Sequence, residues 1–163
     1  MIPTRTAAEA DLPAITAIYN HAVLHTTAIW NETVVDLENR RAWYRARTGQ
    51  GYPVLVAEVD GAVAAYGTFG DFRAFEGYRF TVEHSVYVAE AARGRGIATG
   101  LIEALAERAR GLGKHVLVAG IAADNEPSLA LHRKLGFSET GRMTEVGFKF
   151  GRWLDLVLMQ RRP

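Results

Sequence analysis

Residues 85–99, SVYVAEAARGRGIAT, restrict the fold more than any other stretch of this chain. The alternating run Ser85-Val86-Tyr87-Val88 reads as a strand. Arg93-Gly94-Arg95-Gly96-Ile97-Ala98 reads as a glycine-rich loop, and the residues after it as an amphipathic helix. A strand feeding such a loop into a helix is suited to holding phosphate. The glycines let the backbone approach the anion, and unpaired N–H groups of the first helical turn point at it along the helix dipole. Arg93 and Arg95 add positive charge at the same place.

Spacing narrows the choice of phosphate site. A dinucleotide fingerprint, G-x-G-x-x-G, needs glycine where Thr99 stands, and no Walker-type G-K-[ST] is present. The loop does satisfy [Q/R]-x-x-G-x-[G/A], through Arg93, Gly96 and Ala98. At 163 residues the chain has the length of one domain, and 48% hydrophobic residues exclude disorder. A net charge of +1 leaves no electrostatic footprint for nucleic acid. The absence of cysteine removes disulfides, thiolate metal sites and a cysteine acyl-enzyme together. No apolar run reaches membrane-spanning length and no signal-peptide core opens the chain, so a cytoplasmic location is expected.

Taken in order, Ile2–Thr6 reads as a first strand. Asp11 reads as the cap of a helix with Leu12, Ile15, Ile18, Tyr19, Ala22 and Val23 at the 3.6 period. His21 and His25 lie four apart on that helix, without an acid between them or a third ligand, so no metal is assigned. Trp30 sits in a loop, either as a core filler or as part of a substrate wall. Asp36 opens a second helix running to Arg47, with Leu37, Trp43 and Tyr44 as its buried side. Val54–Val59 and Ala62–Phe69 form a hairpin about Asp60-Gly61. The loop after it carries Arg73, Phe75 and Tyr78, and aromatic walls with a guanidinium suit a small carboxylate ligand. A solvated flap is the competing reading of that loop.

Phe80–Val88 places Glu83 and His84, a carboxylate and an imidazole, inside an apolar strand. The third helix runs from Ile97 to Arg110, with Leu101, Ala104, Leu105 and Arg108 on one stripe and Gly111 and Gly113 at its end. Val116–Ile121 is continuously apolar, as expected of a buried strand lying parallel to the previous one through a right-handed crossover. A short helix closes at Gly136, and two β-type runs, Ser138–Val146 and Phe148–Met159, finish the chain.

Four features, in this order, resemble the GNAT N-acetyltransferase family: the VYV strand, RGRGIA, the apolar strand leading to Asn125, and LHRKLGF. HAVLHTTAIWN, VEHSVYV, ADNEPS and VGFKFGRWLD are similar to the phosphinothricin and methionine sulfoximine N-acetyltransferase subgroup, over nearly the whole chain. The resemblance implies an α/β fold: a mixed, mostly antiparallel sheet whose central parallel pair splays apart, flanked by about four helices. It also implies a bulge near Val88 that frees backbone groups for the pantetheine arm of acetyl-CoA. By the same resemblance Val86, Tyr87 and Val88 hold pantetheine and thioester. Arg93, Gly94, Arg95, Gly96, Ile97, Ala98 and Thr99 hold the pyrophosphate, and Asn125 and Ser128 the arm further along.

The implied reaction is direct attack of a primary amine on the acetyl-CoA thioester. The amine must lose a proton, and Glu83 stands in the family's base position, acting directly or through a water. Pairing with Arg73 or Arg79 is the competing, structural role. His132 stands where many members place a tyrosine acid for the departing thiolate; a helix histidine with satisfied bonds is the alternative. The implied acceptor is a small amino acid analogue with tetrahedral sulfur or phosphorus. Arg73 takes its carboxylate, Trp30, Phe75 and Tyr78 form its wall, Ser85 lies beside it, and His84 either assists there or faces the other side of the strand, as alternation predicts. The family also implies a homodimer in which residues 144–150 complete the neighbour's site, with no nucleic-acid or membrane partner. Two rivals remain. Cationic acceptors (a polyamine, an aminoglycoside or a protein N-terminus) favour an acidic cleft, and a non-catalytic acetyl-CoA sensor binds without turnover.

Overall fold

The computed structural model describes residues 2–163. Its seven strands are β1 (Thr4–Thr6), β2 (Val54–Val59), β3 (Ala62–Asp71), β4 (Thr81–Val88), β5 (Val116–Ala122), β6 (Ser138–Lys149) and β7 (Arg152–Arg161). They form one sheet in the order β1-β2-β3-β4-β5-β7-β6, antiparallel except for β4 and β5. The helices are α1 (Leu12–His25), α2 (Leu37–Gly49), α3 (Ile97–Gly111) and α4 (Glu126–Lys134).

Strand alternation sorts the core into two layers. Val54, Val56 and Tyr66 pack on Leu12, Ile15 and Ile18 of α1, with Trp43 and Tyr44 of α2 alongside. Leu55, Ala57, Ala65 and Val82 pack on Leu101, Ile102 and Leu105 of α3 and Leu129 of α4. Each fully buried aliphatic side chain contributes about 1.5–3 kcal/mol of transfer free energy. On β4 the even positions, His84, Val86 and Val88, therefore face α3 and α4, while Glu83, Ser85 and Tyr87 face α1 and α2.

Local signals place the turns. Asp60 and Gly61 both take positive φ, 52° and 79°, the conformation of a tight hairpin turn. Asp36 caps α2 by accepting the Asn39 N–H at 2.8 Å, and Asn125 caps α4 by accepting the Ser128 N–H at 3.2 Å.

Three expectations are corrected and one is extended. Asp11 does not cap α1, because its carboxylate turns back to the Ala8 N–H at 2.7 Å and to Arg5 at 2.7 and 2.9 Å. The Arg5 guanidinium holds that carboxyl below the usual range. On α2, Leu37, Trp43 and Tyr44 pack on the core as expected, and Arg40 is buried beside them, its guanidinium covering the rings of Tyr19 at 4.3 Å and Trp43 at 5.0 Å. On α3 the buried stripe runs Ile97, Leu101, Ile102, Leu105, Ala109, and Arg108 is exposed. The last two strands turn at Phe150-Gly151, not at Gly147, where β6 carries a register irregularity instead.

The pairing of β4 with β5 creates the opening that matters. It covers Thr81 with Val116, Val82 with Leu117 and Glu83 with Val118, and stops there. Beyond that rung β4 continues with β3 to Val88, and β5 continues with β7 to Ala122. No bulge lies at Val88: the β3–β4 register is unbroken, and the nearby irregularity falls between β2 and β3 at Ala57 and Glu58. The free backbone edge of β4 comes from the splay.

Candidate active site

A cavity of about 860 Å³ opens along the splay. Its walls come from six places: the end of α1 (Ile18, His21, Ala22, His25), the loop Thr26–Ala28, the β4 residues Val86–Val88, the loop into α3, the start of α4 and the β6–β7 hairpin. Of the glycine-rich loop, Arg93, Gly94, Gly96, Ile97, Ala98 and Thr99 line it, and Arg95 does not. Asn125 and Ser128 line it from α4.

Gly94 and Gly96 both hold positive φ, 75° and 76°, so the loop bends through conformations that side chains resist. Gly96 is the N-cap of α3, and its side-chain-free cap leaves first-turn N–H groups open toward the cavity. An anionic head fits there, and a long uncharged arm fits between Val86–Val88 and the start of α4. These residues suit acetyl-CoA: a cationic, N–H-rich end joined to an edge of unpaired backbone.

Glu83 stands at the last paired rung, half-buried, at the mouth of the splay. Burial pushes its carboxyl above the usual value, and the charge of Arg73 pulls it partly back. A raised carboxyl near an open strand edge is a candidate proton acceptor. Ser85 and Tyr87 follow on the same face; burial raises the Tyr87 hydroxyl.

His84 does not stand beside an acceptor. Its ring lies on the α4 side, 6% exposed, with Nδ1 3.0 Å from the Val118 carbonyl oxygen and Nε2 3.0 Å from Nε2 of His132. Alternation puts it opposite Glu83. His132 is equally buried, and its Nδ1 lies 2.7 Å from the Ser128 carbonyl oxygen and 3.4 Å from its hydroxyl. Burial pushes His84 down to about 3, with repulsion from His132 second, and burial lowers His132 too.

Trp30 packs flat on Gly147, where an added Cβ would fall 2.2 Å from its ring, and its Nε1–H donates to the Thr27 carbonyl. Arg73, Phe75 and Tyr78 lie on the exposed β3–β4 loop, with Phe75 79% exposed, so they close no wall within one chain. The rings of His21 and His25 lie 4.7 Å apart, tilted by 44°, on the cavity wall, and among the described residues no group of three metal-binding side chains converges.

Several cavity residues lie in the resembling stretches ADNEPS and VGFKFGRWLD with no role assigned to them there. Asp124 accepts from Thr27 at 3.0 Å and from Arg152 at 2.5 Å, tying the α1–α2 loop to β7. Arg152 and Phe150 line the cavity from the last hairpin. Only their meeting in space reveals them, since they come from three distant segments.

The acetyltransferase (GNAT) family profile matches residues 15–137. The chain belongs to that family. It is an N-acetyltransferase and its acyl donor is acetyl-CoA. A curated L-methionine sulfoximine/L-methionine sulfone acetyltransferase of Salmonella typhimurium is 58% identical over 156 residues, 96% of this chain and 91% of its own. A phosphinothricin N-acetyltransferase of Alcaligenes faecalis is 44% identical, over 93% of this chain and 77% of its own. Among solved structures, a Salmonella typhimurium acetyltransferase with its cofactor acetyl-CoA aligns with a TM-score of 0.96 at 56% identity, covering 99% and 93% of the two chains. A ribosomal-protein-alanine N-acetyltransferase of Brucella melitensis aligns with a TM-score of 0.98 at 56% identity, covering 99% and 100%.

Proposed function

We propose that this enzyme acetylates the amino group of a small amino acid analogue of the methionine sulfoximine, methionine sulfone or phosphinothricin type. The observation that carries the reading is the Glu83 carboxylate at the last β4–β5 rung, raised by burial and faced by the positive charge of Arg73. An ammonium group has no lone pair, so a base must take its proton before the nitrogen attacks. Glu83 takes that proton, directly or through a water. Arg73 then holds the acceptor's carboxylate, and a backbone N–H near Val88 faces the developing oxyanion. The thioester supplies the acyl group; Val86–Val88 and Asn125 hold its arm, and the loop 93–99 its diphosphate.

The same reading includes a homodimer. The β6–β7 hairpin exposes Met143, Val146, Phe148, Phe150 and Trp153, with Trp153 61% exposed and edge-on to Phe148 at 5.0 Å. An apolar face of that kind on one chain suits a second copy. Residues 144–150 of the partner then cover the loop that carries Arg73. Sedimentation of the wild type against Trp153→Glu tests this; a dimer that Trp153→Glu leaves intact removes the hairpin from the interface.

The acceptor is tested by CoA-thiol release with methionine sulfoximine, methionine sulfone and phosphinothricin, beside spermidine and an alanine-initiated peptide. Turnover on the first group, weakened through a raised acceptor KM in Arg73→Ala and strongly reduced in Glu83→Gln, supports acceptor and base together. Turnover confined to the peptide or spermidine replaces the acceptor and keeps the chemistry. Unchanged turnover in Glu83→Gln removes the base.

A further inference from the structure

The two buried imidazoles cannot both be satisfied as neutral groups. His84 Nδ1 lies 3.0 Å from the Val118 carbonyl oxygen, and His132 Nδ1 lies 2.7 Å from the Ser128 carbonyl oxygen. A carbonyl oxygen only accepts, so each Nδ1 carries a hydrogen. A neutral imidazole has a single N–H, which leaves both Nε2 atoms bare. Yet those two atoms face each other at 3.0 Å. Two lone pairs at that distance repel; one proton between them makes a charge-assisted hydrogen bond. Turning His84 round moves the clash to the Val118 carbonyl; turning His132 round leaves its bare Nδ1 2.7 Å from the Ser128 carbonyl oxygen, with the Ser128 hydroxyl at 3.4 Å as its donor.

The surroundings oppose charge on the rings, since burial and the Arg161 guanidinium lower both, so the proton is held by the hydrogen bond between them. Phe137 packs on both rings, at 5.4 and 5.0 Å, and α4 and β5 present only the Ser128 and Val118 carbonyls and the Ser128 hydroxyl. From β7, Arg161 lies over Phe137 at 5.1 Å, its charge paired with Glu103 of α3 at 2.9 Å. Glu83 is adjacent in sequence but on the other face of β4. Among the described residues no carboxylate bonds either ring.

Both nitrogens of His132 are engaged, and neither His84 nor His132 lines the cavity. Ser128 does, and its hydroxyl lies 3.4 Å from His132 Nδ1. We propose that His84 and His132 hold one proton between their Nε2 atoms, and that the pair delivers a proton through His132 Nδ1 and the Ser128 hydroxyl to the sulfur leaving the acetyl group. Ser128 is the group that touches the sulfur, and the two histidines act through it. The step balances: the Ser128 O–H gives its hydrogen to the thiolate, the His132 Nδ1–H replaces it, and the shared proton stays on His132 Nε2. The pair ends neutral, with Nδ1 accepting from the serine hydroxyl. In that state the bare Nδ1 faces the Ser128 carbonyl, which favours recovery of a proton from solvent after product leaves.

This rests on the amine-acetylation reading above, and its test does not depend on turnover. The free enzyme, labelled with nitrogen-15 at histidine, is followed by NMR as pH is varied. The expected signature is one strongly downfield proton bound to an Nε2 and shared with a second ring, present at neutral pH. Two neutral rings with no such proton overturn the proposal. In Ser128→Ala the shared proton persists, while kcat falls about 100-fold or more, as loss of a general acid does. An unchanged kcat removes Ser128 as the donor. If the proton is present but Glu83→Gln keeps full activity, the base assignment fails and the histidine pair stands.

Discussion

The Glu83 carboxylate fills the space beside Gly120: its Oε1 lies 2.8 Å from where a Cβ on Gly120 would stand. Gly120 is two residues past Val118, the last β5 residue paired with β4, so the carboxylate reaches along the splay. Gly120→Ala is therefore expected to push the carboxylate aside. The backbone there is ordinary strand, so the variant folds, with alanine no worse than glycine in a strand. A displacement of this order costs about 10- to 100-fold in kcat. Steady-state kinetics beside a thermal melt checks it; full activity in a folded variant means the observed carboxylate position is not the working one.

Arg73 and Glu83 make a second, signed prediction. Burial raises the carboxyl and Arg73 lowers it, so the base is active only above its own raised pKa. The rate at low acceptor concentration should fall on the acid side as Glu83 takes up a proton. Removing the cation in Arg73→Ala or Arg73→Gln moves that limb to higher pH, whatever it also does to acceptor affinity. A limb that stays in place would mean the two charges do not interact during turnover.

Gly96 holds φ at 76° as the cap of α3. A Cβ there costs about 1–2 kcal/mol in backbone conformation and no steric contact, since nothing lies within 4 Å. Gly96→Ala is expected to raise the KM for acetyl-CoA while kcat at saturation stays close to wild type. Equal losses in both would place the loop in the chemical step.

Lys149 and Gly147 together hold the loop after α1. The Lys149 ammonium is fully buried, makes no ion-pair contact among the described residues, and donates to the Thr26 carbonyl at 2.7 Å and the Ile29 carbonyl at 2.5 Å. Two positions earlier, Trp30 lies on Gly147. Gly147→Ala forces the indole off the strand, and overpacking of this kind costs about 1–3 kcal/mol. Urea denaturation reads the loss, and a stability equal to wild type would show that the loop rides over the added methyl.

Much of this arrangement was legible in the chain and some was not. The RGRGIA loop, the Asp60-Gly61 turn and the caps at Asp36 and Asn125 are local: their residues act on backbone within a few positions. Alternation also separated His84 from Glu83, but could not say what met His84, because His132 arrives from 48 positions away. Gly147 looked like a turn because glycine usually marks one; here it clears space for Trp30, a long-range reason no window of sequence contains. The free edge of β4 was expected from a bulge at Val88, and arises from a splay that depends on β7 claiming β5. Asp11 carries a cap residue's chemistry, and Arg5 drew it elsewhere.

The histidine pair also fixes how stability responds to acid. His84 titrates at about 3 in the fold against an unfolded value of 6.5, because burial and the neighbouring ring oppose a further charge. Its folded pKa is depressed, so the unfolded chain binds a proton the folded one refuses, and acid favours unfolding. The stabilisation is complete above the unfolded value and drains away as pH falls from 6.5 toward 3, at about 1.4 kcal/mol per pH unit for one proton. Urea midpoints across that range should fall steadily in the wild type, and less steeply in His84→Phe, which has no ring to protonate. The carboxylates of Asp11, Glu103 and Asp124, held low by Arg5, Arg161 and Arg152, add their own losses in the acid part of the window in both proteins. The difference between the two slopes therefore reports the buried pair, since His132, which burial also lowers, loses its neighbour in the variant. A His84→Phe slope as steep as wild type would mean that the pair accepts its second proton without cost, and that burial does not hold it to one.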